Sequence, residues 1–320
     1  MNERKKIAFD EIEKRWLRNQ YATEPTSTEQ LSSAIIDVYL ALQKAPPKIF
    51  YYRSPIECME SLSEKKGQPF SLMPYIRTLK KQLPTIRSTF PSKQSVSRRF
   101  FKPRYSIHIP YKSHLYQRYQ PFLSYAFHPS IFLGYIIWID FCVSELGVSC
   151  DKNLWLPLRT ISEYACYVFF YDDYCYVSER PSFVSLNKFG LPHADGKASV
   201  EYADQFKAYF YNGMWMPPQY GTIRSVDWKA KWLLCEQDEA IRQTLAKGIG
   251  LERIKSELYL QEKDAWGQYT LYRLGTRGES ASFILLLTRR RADKREDYLV
   301  VESKRYIRHH LERWMEDRLR

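Results

Sequence analysis

From Tyr174 to Tyr211 this 320-residue chain alternates apolar and polar residues in short runs broken by turn residues. The runs are Tyr174-Cys-Tyr-Val177, Phe183-Val-Ser-Leu186, Ala198-Ser-Val-Glu-Tyr202 and Phe206-Lys-Ala-Tyr-Phe-Tyr211. Asn187-Lys-Phe-Gly190, Asp195-Gly196 and Ala203-Asp204-Gln205 separate them, and Asn212-Gly213 follows the last. A period of two sends successive side chains to opposite faces of a pleated strand, which a helix cannot reproduce. The stretch predicts an antiparallel meander of hairpins.

Upstream the period is helical. Phe9, Ile12 and Trp16 share one face, and so do Leu31, Ala34, Ile35, Val38, Tyr39 and Leu42. Ser27 with Gln30 reads as a capping box, and Pro46-Pro47 stops the second helix. A short strand, Lys48 to Tyr52, leads into Ser54-Pro55, the cap and first residue of a helix reaching Leu62. Ile131 to Leu146 and Trp155 to Phe170 are apolar runs of helical length in which strand stays open for part of each. Downstream, Asp238 to Lys247 reads as a helix ended by Gly248 and Gly250. Gln268 to Arg273, Ser282 to Leu287 and Asp297 to Val301 read as strands, and Ile307, Leu311, Trp314 and Met315 mark one face of a last helix. The class is α+β: an N-terminal helical part, an antiparallel β-hairpin meander and a C-terminal helix.

Charge is partitioned as sharply as periodicity. Between Glu64 and Asp140 there is no acidic residue, while thirteen lysines and arginines fall there. The other 36 basic residues are matched by 36 acidic ones, so the whole net charge of +13 resides in this segment. Texture and charge together predict a helical region at 1–64, a basic, aromatic-rich and partly extended segment at 65–128, and an α+β core at 129–320 with the hairpin motif at 174–217. In the basic segment Arg98, Arg99, Lys102, Arg104, Tyr105, Lys112 and Arg118 interleave with aromatic rings. Cations that neutralise phosphates, beside rings that stack on bases, suit single-stranded nucleic acid; an acidic protein or a membrane surface is the other candidate partner, and a solvated loop without a polyanion partner is the plainer reading.

The six cysteines form no CxxC pair, which speaks against structural zinc and for free thiols in a reducing cytoplasm. No apolar h-region follows the basic start, and the longest apolar run, Ile131 to Ile139, falls far short of the roughly twenty residues a spanning helix needs. Neither a cofactor nor a metal is expected, because no glycine-rich phosphate loop, GxSxG elbow or HExxH helix occurs.

The densest motif is Ser178-Glu-Arg-Pro181, Leu191-Pro-His193, Asp195-Gly196-Lys197-Ala198, Tyr202-Ala-Asp204, Tyr209, Gly213 and Met216-Pro217. This series resembles a bacterial family, common in cyanobacteria and known as a domain of unknown function, whose core runs "ERP…LH…GPA…Y.DG…Y…G..VP". Thr23-Glu24-Pro25 and Ser54-Pro55 are similar to its opening, and Arg242 and Asp264-Ala-Trp-Gly267 to its later elements. Lys197 stands where the family has proline, Gln205 where it has glycine, and a single Arg242 where it has two arginines. The resemblance implies a fold and a bacterial origin, and it carries no mechanism.

Within the motif, Glu179, Arg180, His193 and Asp195 are the candidate catalytic residues: an acid, an anion anchor and a histidine–carboxylate pair. The plainer reading makes Asp195-Gly196 and Asp204 turn punctuation, and Glu179-Arg180 an ion pair at a strand end. Three functions stand on these residues: a non-catalytic binding or regulatory module for an anionic partner, an enzyme centred on 179–195, or a protein–protein adaptor using the aromatic-rich sheet.

Overall fold

The structure, a computed structural model, describes residues 3–25, 27–62, 67–84, 114–276, 284–291 and 296–302. The predicted C-terminal helix and most of the basic segment, including Arg98, Arg99, Lys102, Arg104, Tyr105 and Lys112, lie outside the described residues. The chain is mixed α+β and divides into two compact units, Met1–Ser185 with Val200–Ala208, and Leu186–Ser199 with Tyr209–Arg320. These units follow packing, whereas the boundaries read from the sequence followed charge.

The first unit opens with α1 (Glu3–Asn19) and α2 (Thr28–Ala41). Phe9, Ile12 and Trp16 of α1, and Leu31, Ile35, Val38 and Tyr39 of α2, enter the core as their spacing predicts. Ser27 occupies the N-cap of α2 but makes no side-chain cap bond, so the expected capping box is absent; its carbonyl instead receives the Leu31 N–H at 3.0 Å. β1 (Lys48–Tyr52) follows, then α3 (Pro55–Leu62), where Ser54 Oγ accepts the Glu57 N–H at 3.1 Å as a true N-cap.

Among the described residues two helices interrupt the segment expected to be partly extended, α4 (Met73–Lys81) and α5 (His114–Leu123). In α4, Ile76 and Leu79 are buried while Arg77 and Lys81 face solvent. Leu72, Ile76, Leu79 and Leu83 give this helix and its flanks one buried face at helical spacing.

α6 (Pro129–Ser144) is apolar on nearly every side and accordingly sits deep in the core. α7 (Lys152–Tyr164) carries Trp155, Leu158 and Ile161 inward, with Asp151 as N-cap accepting the Asn153 N–H at 3.0 Å. The apolar run from Trp155 to Phe170 is thus split: helix to Tyr164, then β2 (Tyr167–Phe170).

β2 pairs antiparallel with β3 (Tyr174–Ser178), and β1 pairs with β3 in parallel, giving the order β1-β3-β2. The parallel pair was invisible locally, since five helices among the described residues separate its strands. β4 (Phe183–Val184), β5 (Val200–Glu201) and the start of β6 (Lys207–Tyr211) pair antiparallel in turn, as the meander predicts, but its first run, Tyr174 to Val177, belongs to β3 and leaves the meander for the β1-β3-β2 sheet, drawn there by pairing with β1 and β2. Asp204 closes the β5–β6 turn by accepting the Phe206 N–H at 3.0 Å.

One charge organises this unit's helices. Asp140, on the apolar α6, is 2% exposed and accepts the Trp16 indole N–H at 2.8 Å; Arg15 pairs with the same oxygen, and Arg159 Nε stands 3.8 Å from the other. A carboxylate taken out of water is tolerated only when paired and hydrogen-bonded.

In the second unit the end of β6 pairs with β7 (Met214–Met216) across Asn212 (φ 48°) and Gly213 (φ 82°), the two positive-φ positions of a type I′ hairpin. Short helices follow at α8 (Pro218–Gly221) and α9 (Trp232–Cys235), with a 3-10 turn at Ser225–Asp227 between them. α10 (Glu239–Ile249) is capped by Asp238, which accepts the Ala240 N–H at 2.8 Å, and it ends at Gly250 (φ 87°). Gly248 lies inside α10 instead of ending it; the Trp228 ring packs so closely that a Cβ there would stand 2.3 Å from it.

α11 (Leu251–Glu257) leads into an antiparallel sheet ordered β11-β10-β9-β8, with β8 (Tyr259–Trp266), β9 (Tyr269–Gly275), β10 (Ile284–Arg290) and β11 (Glu296–Glu302). Its two faces supply separate buried clusters, Leu274, Leu286 and Val300 on one and Leu271, Leu285, Leu287 and Leu299 on the other. β8 escaped sequence reading because Gln261, Glu262, Lys263 and Asp264 give it no alternating apolar face; it is an edge strand, where charge blunts further pairing.

Asp140→Ala leaves the Arg15 and Arg159 charges and the Trp16 N–H without their acceptor, and should cost about 3 kcal/mol of stability. Urea unfolding followed by tryptophan fluorescence reads this directly, and Asp140→Asn, which keeps an acceptor for Trp16, should cost clearly less.

Candidate functional site

Arg180 belongs to the first unit, two residues beyond β3, and its guanidinium turns inward. Its Nη2 donates to Asn19 Oδ1 at 3.0 Å and to the Glu163 carbonyl, while Asn19 Nδ2 donates to the Ser162 carbonyl at 2.9 Å. Both acceptors lie at helix ends, α1 finishing at Asn19 and α7 at Tyr164. A cation at a helix C-terminus satisfies orphan carbonyls and meets the negative end of the helix dipole. Burial pulls Arg180 below its ordinary pKa, opposed by the neighbouring Cys166, Glu24, Tyr164 and Glu163. The expected Glu179–Arg180 ion pair does not form: among the described residues Arg180 has no carboxylate partner, and the Glu179 N–H instead continues the β1–β3 ladder to the Tyr52 carbonyl at 2.8 Å.

Around Arg180, the side chains of Asn19, Gln20, His128, Ser162 and Cys166 line a cavity of about 10 Å³, the space of a single water. His128 is 1% exposed, with its ring 4.2 Å from that of Tyr167. Cys166 Sγ lies 3.8 Å from Tyr202 Oη, and burial pushes the thiol up to about 12, with Ser178, Tyr202 and Arg180 pulling the other way. A thiol held protonated is a poor nucleophile. No spacing in the sequence announces this cluster, because its members come from positions 19 to 180 and meet only through helix packing.

His193 and Asp195 lie in the second unit and are drawn to different partners. His193 Nδ1 accepts the Asn212 N–H at 3.1 Å, and its ring stands edge-on to Tyr211 at 4.9 Å. Asp195 accepts the Ser225 N–H at 2.6 Å through one oxygen and the Ser225 hydroxyl at 3.1 Å through the other. Each residue thus fastens a turn: His193 the β6–β7 hairpin, Asp195 the start of the 3-10 turn. Asp195-Gly196 is a bend within the long β4–β5 connection and joins no hairpin of its own. Gly196 has φ 71°, and a Cβ on it would stand 2.9 Å from the Arg224 backbone nitrogen, so both conformation and space demand glycine. Glu179 and Arg180 are placed in one unit, and His193 and Asp195 in the other.

Among the described basic residues, Arg77 and Lys81 are exposed one helical turn apart on α4 and make no ion pair with any described residue. Lys80 lies over the Tyr135 ring at 4.9 Å, and exposed Arg118 lies over Tyr119 at 5.2 Å. The sequence named Arg118 as a site residue; the pairing of Arg77 with Lys81 needed the helix. Among the described residues no cluster of three metal-ligating side chains occurs, and no helix is long and apolar enough to cross a membrane. No family model, curated protein or solved structure matches the chain.

Asp195→Ala should lower stability by about 1–2 kcal/mol by leaving the Ser225 donors unmet, and Gly196→Ala by at least as much; thermal unfolding ranks them. Thiol titration at pH 8 should modify Cys235, which is exposed, at once, while buried Cys58, Cys142, Cys166 and Cys175 react only after unfolding.

Proposed function

We propose that the chain is a binding module for an anionic partner, nucleic acid foremost, engaged through the basic segment from Lys65 to Arg118. The observation that carries the reading is α4. Its apolar residues Ile76 and Leu79 are buried, and its outward cations Arg77 and Lys81 make no ion pair with any described residue, in a stretch of sequence that contains no acid. A solvated salt-bridging face interleaves both signs; a face of one sign gathers anions and releases their counterions. Arg98, Arg99, Lys102, Arg104, Tyr105, Lys112 and Arg118 extend the same character, with rings positioned in sequence to stack on bases. A bacterial, cytoplasmic setting and membership of the family resembled by Ser178 to Pro217 belong to the same proposal, as does a C-terminal helix over Ile307 to Met315.

Affinity for single-stranded DNA or RNA should fall steeply with salt. Replacing Arg77 and Lys81 with alanine should reduce the slope of log K against log salt by about 0.7 for each cation in contact, and replacing Arg98, Arg99, Lys102 and Arg104 together should abolish binding. Fluorescence anisotropy over a salt series measures both; undetectable binding at low salt, or binding indifferent to the fourfold replacement, overturns the reading.

A further inference from the structure

The turn that follows β4 in the second unit, Leu186 to Leu191, presents three large apolar side chains to water. Phe189 is 75% exposed, and Leu186 and Leu191 are each 42% exposed. Exposed apolar residues scattered singly are ordinary, but three on one six-residue turn form a patch.

The turn is also stiff. Asn187 Oδ1 accepts the N–H groups of Phe189 at 2.9 Å and Leu191 at 3.1 Å, and Asn187 N–H donates to the Leu191 carbonyl at 2.9 Å. The Gly190 N–H returns to the Asn187 carbonyl at 2.9 Å, and Asn187 Nδ2 donates to Asn212 Oδ1 at 3.0 Å. The Gly213 N–H then ties the β6–β7 hairpin to the Pro192 carbonyl at 2.8 Å. A side chain held out on so well-bonded a turn loses little entropy when it meets a partner.

Charge indicates the partner. Leu186 to Ala194 and the neighbouring hairpin from Tyr209 to Met216 contain no aspartate or glutamate, and Lys188 Nζ stands 5.1 Å from the Phe189 ring. Lys188 and Phe189 together at the tip, a leucine on either side of the stem and no acid in either segment match an anionic bilayer. The apolar groups enter the boundary between headgroups and acyl chains, and the ammonium stays at phosphate level.

We propose that the Leu186–Leu191 turn is a membrane-surface anchor that seats Phe189, flanked by Leu186 and Leu191, in the interface of an anionic bilayer. The site is separate from the basic segment, so it stands or falls independently of nucleic-acid binding.

The test is flotation of the full chain with vesicles of phosphatidylcholine alone and of phosphatidylcholine containing about one-third phosphatidylserine. The wild type should float with the anionic vesicles, and the double variant Phe189→Ser, Leu191→Ser should partition about tenfold more weakly. Phe189→Trp should retain binding, and Lys188→Gln should weaken it on anionic vesicles only. Both altered apolar positions are exposed, so thermal unfolding of the double variant should match the wild type. Failure of the wild type to float overturns the proposal. Undiminished binding by the double variant does so too, because it would assign any membrane affinity to the basic segment; nucleic-acid affinity should be unchanged by these substitutions.

Discussion

A carboxylate inside an apolar helix sets the terms for the first unit. Asp140 has almost no water, so its charge must be met by Arg15, Trp16 and Arg159, which arrive from α1 and α7. Hydrophobic burial alone is non-directional and would let three apolar helices slide and rotate against one another. One buried acceptor with donors on two other helices removes that freedom. The same two helices end at Asn19 and Tyr164, where Asn19 and the Glu163 carbonyl receive Arg180.

The same economy governs the motif residues. Arg180, His193, Asp195 and Asp204 have the chemistry of a reaction centre, yet the bonds each makes fasten backbone: helix ends, a type I′ hairpin, a 3-10 turn and a β5–β6 turn. Polar side chains that must satisfy buried donors and acceptors are constrained in identity as tightly as catalytic ones. That explains how one short series can look like chemistry while its geometry serves architecture.

The proposed functions rest on what the fold leaves unmatched. Cations on α4 that pair with no described residue, and an exposed aromatic ring on a hydrogen-bonded turn, are their starting points. One suits a polyanion and the other an anionic lipid interface.

By itself the sequence determined the α+β class, the faces of α1 and α2, the Ser54 cap, the antiparallel runs between Phe183 and Tyr211, and the location of the net charge. All of these are local: periodicity, cap chemistry and turn residues act within a few positions. Only tertiary structure decided the parallel pairing of β1 with β3, the charged edge strand β8, the ending of α7 at Tyr164, the grouping of Cys166, His128 and Arg180, and the exposure of Phe189. Each depends on partners distant in the sequence, or on an edge or surface that no local pattern encodes, because burial and hydrogen-bond satisfaction are settled by whatever packs against a residue.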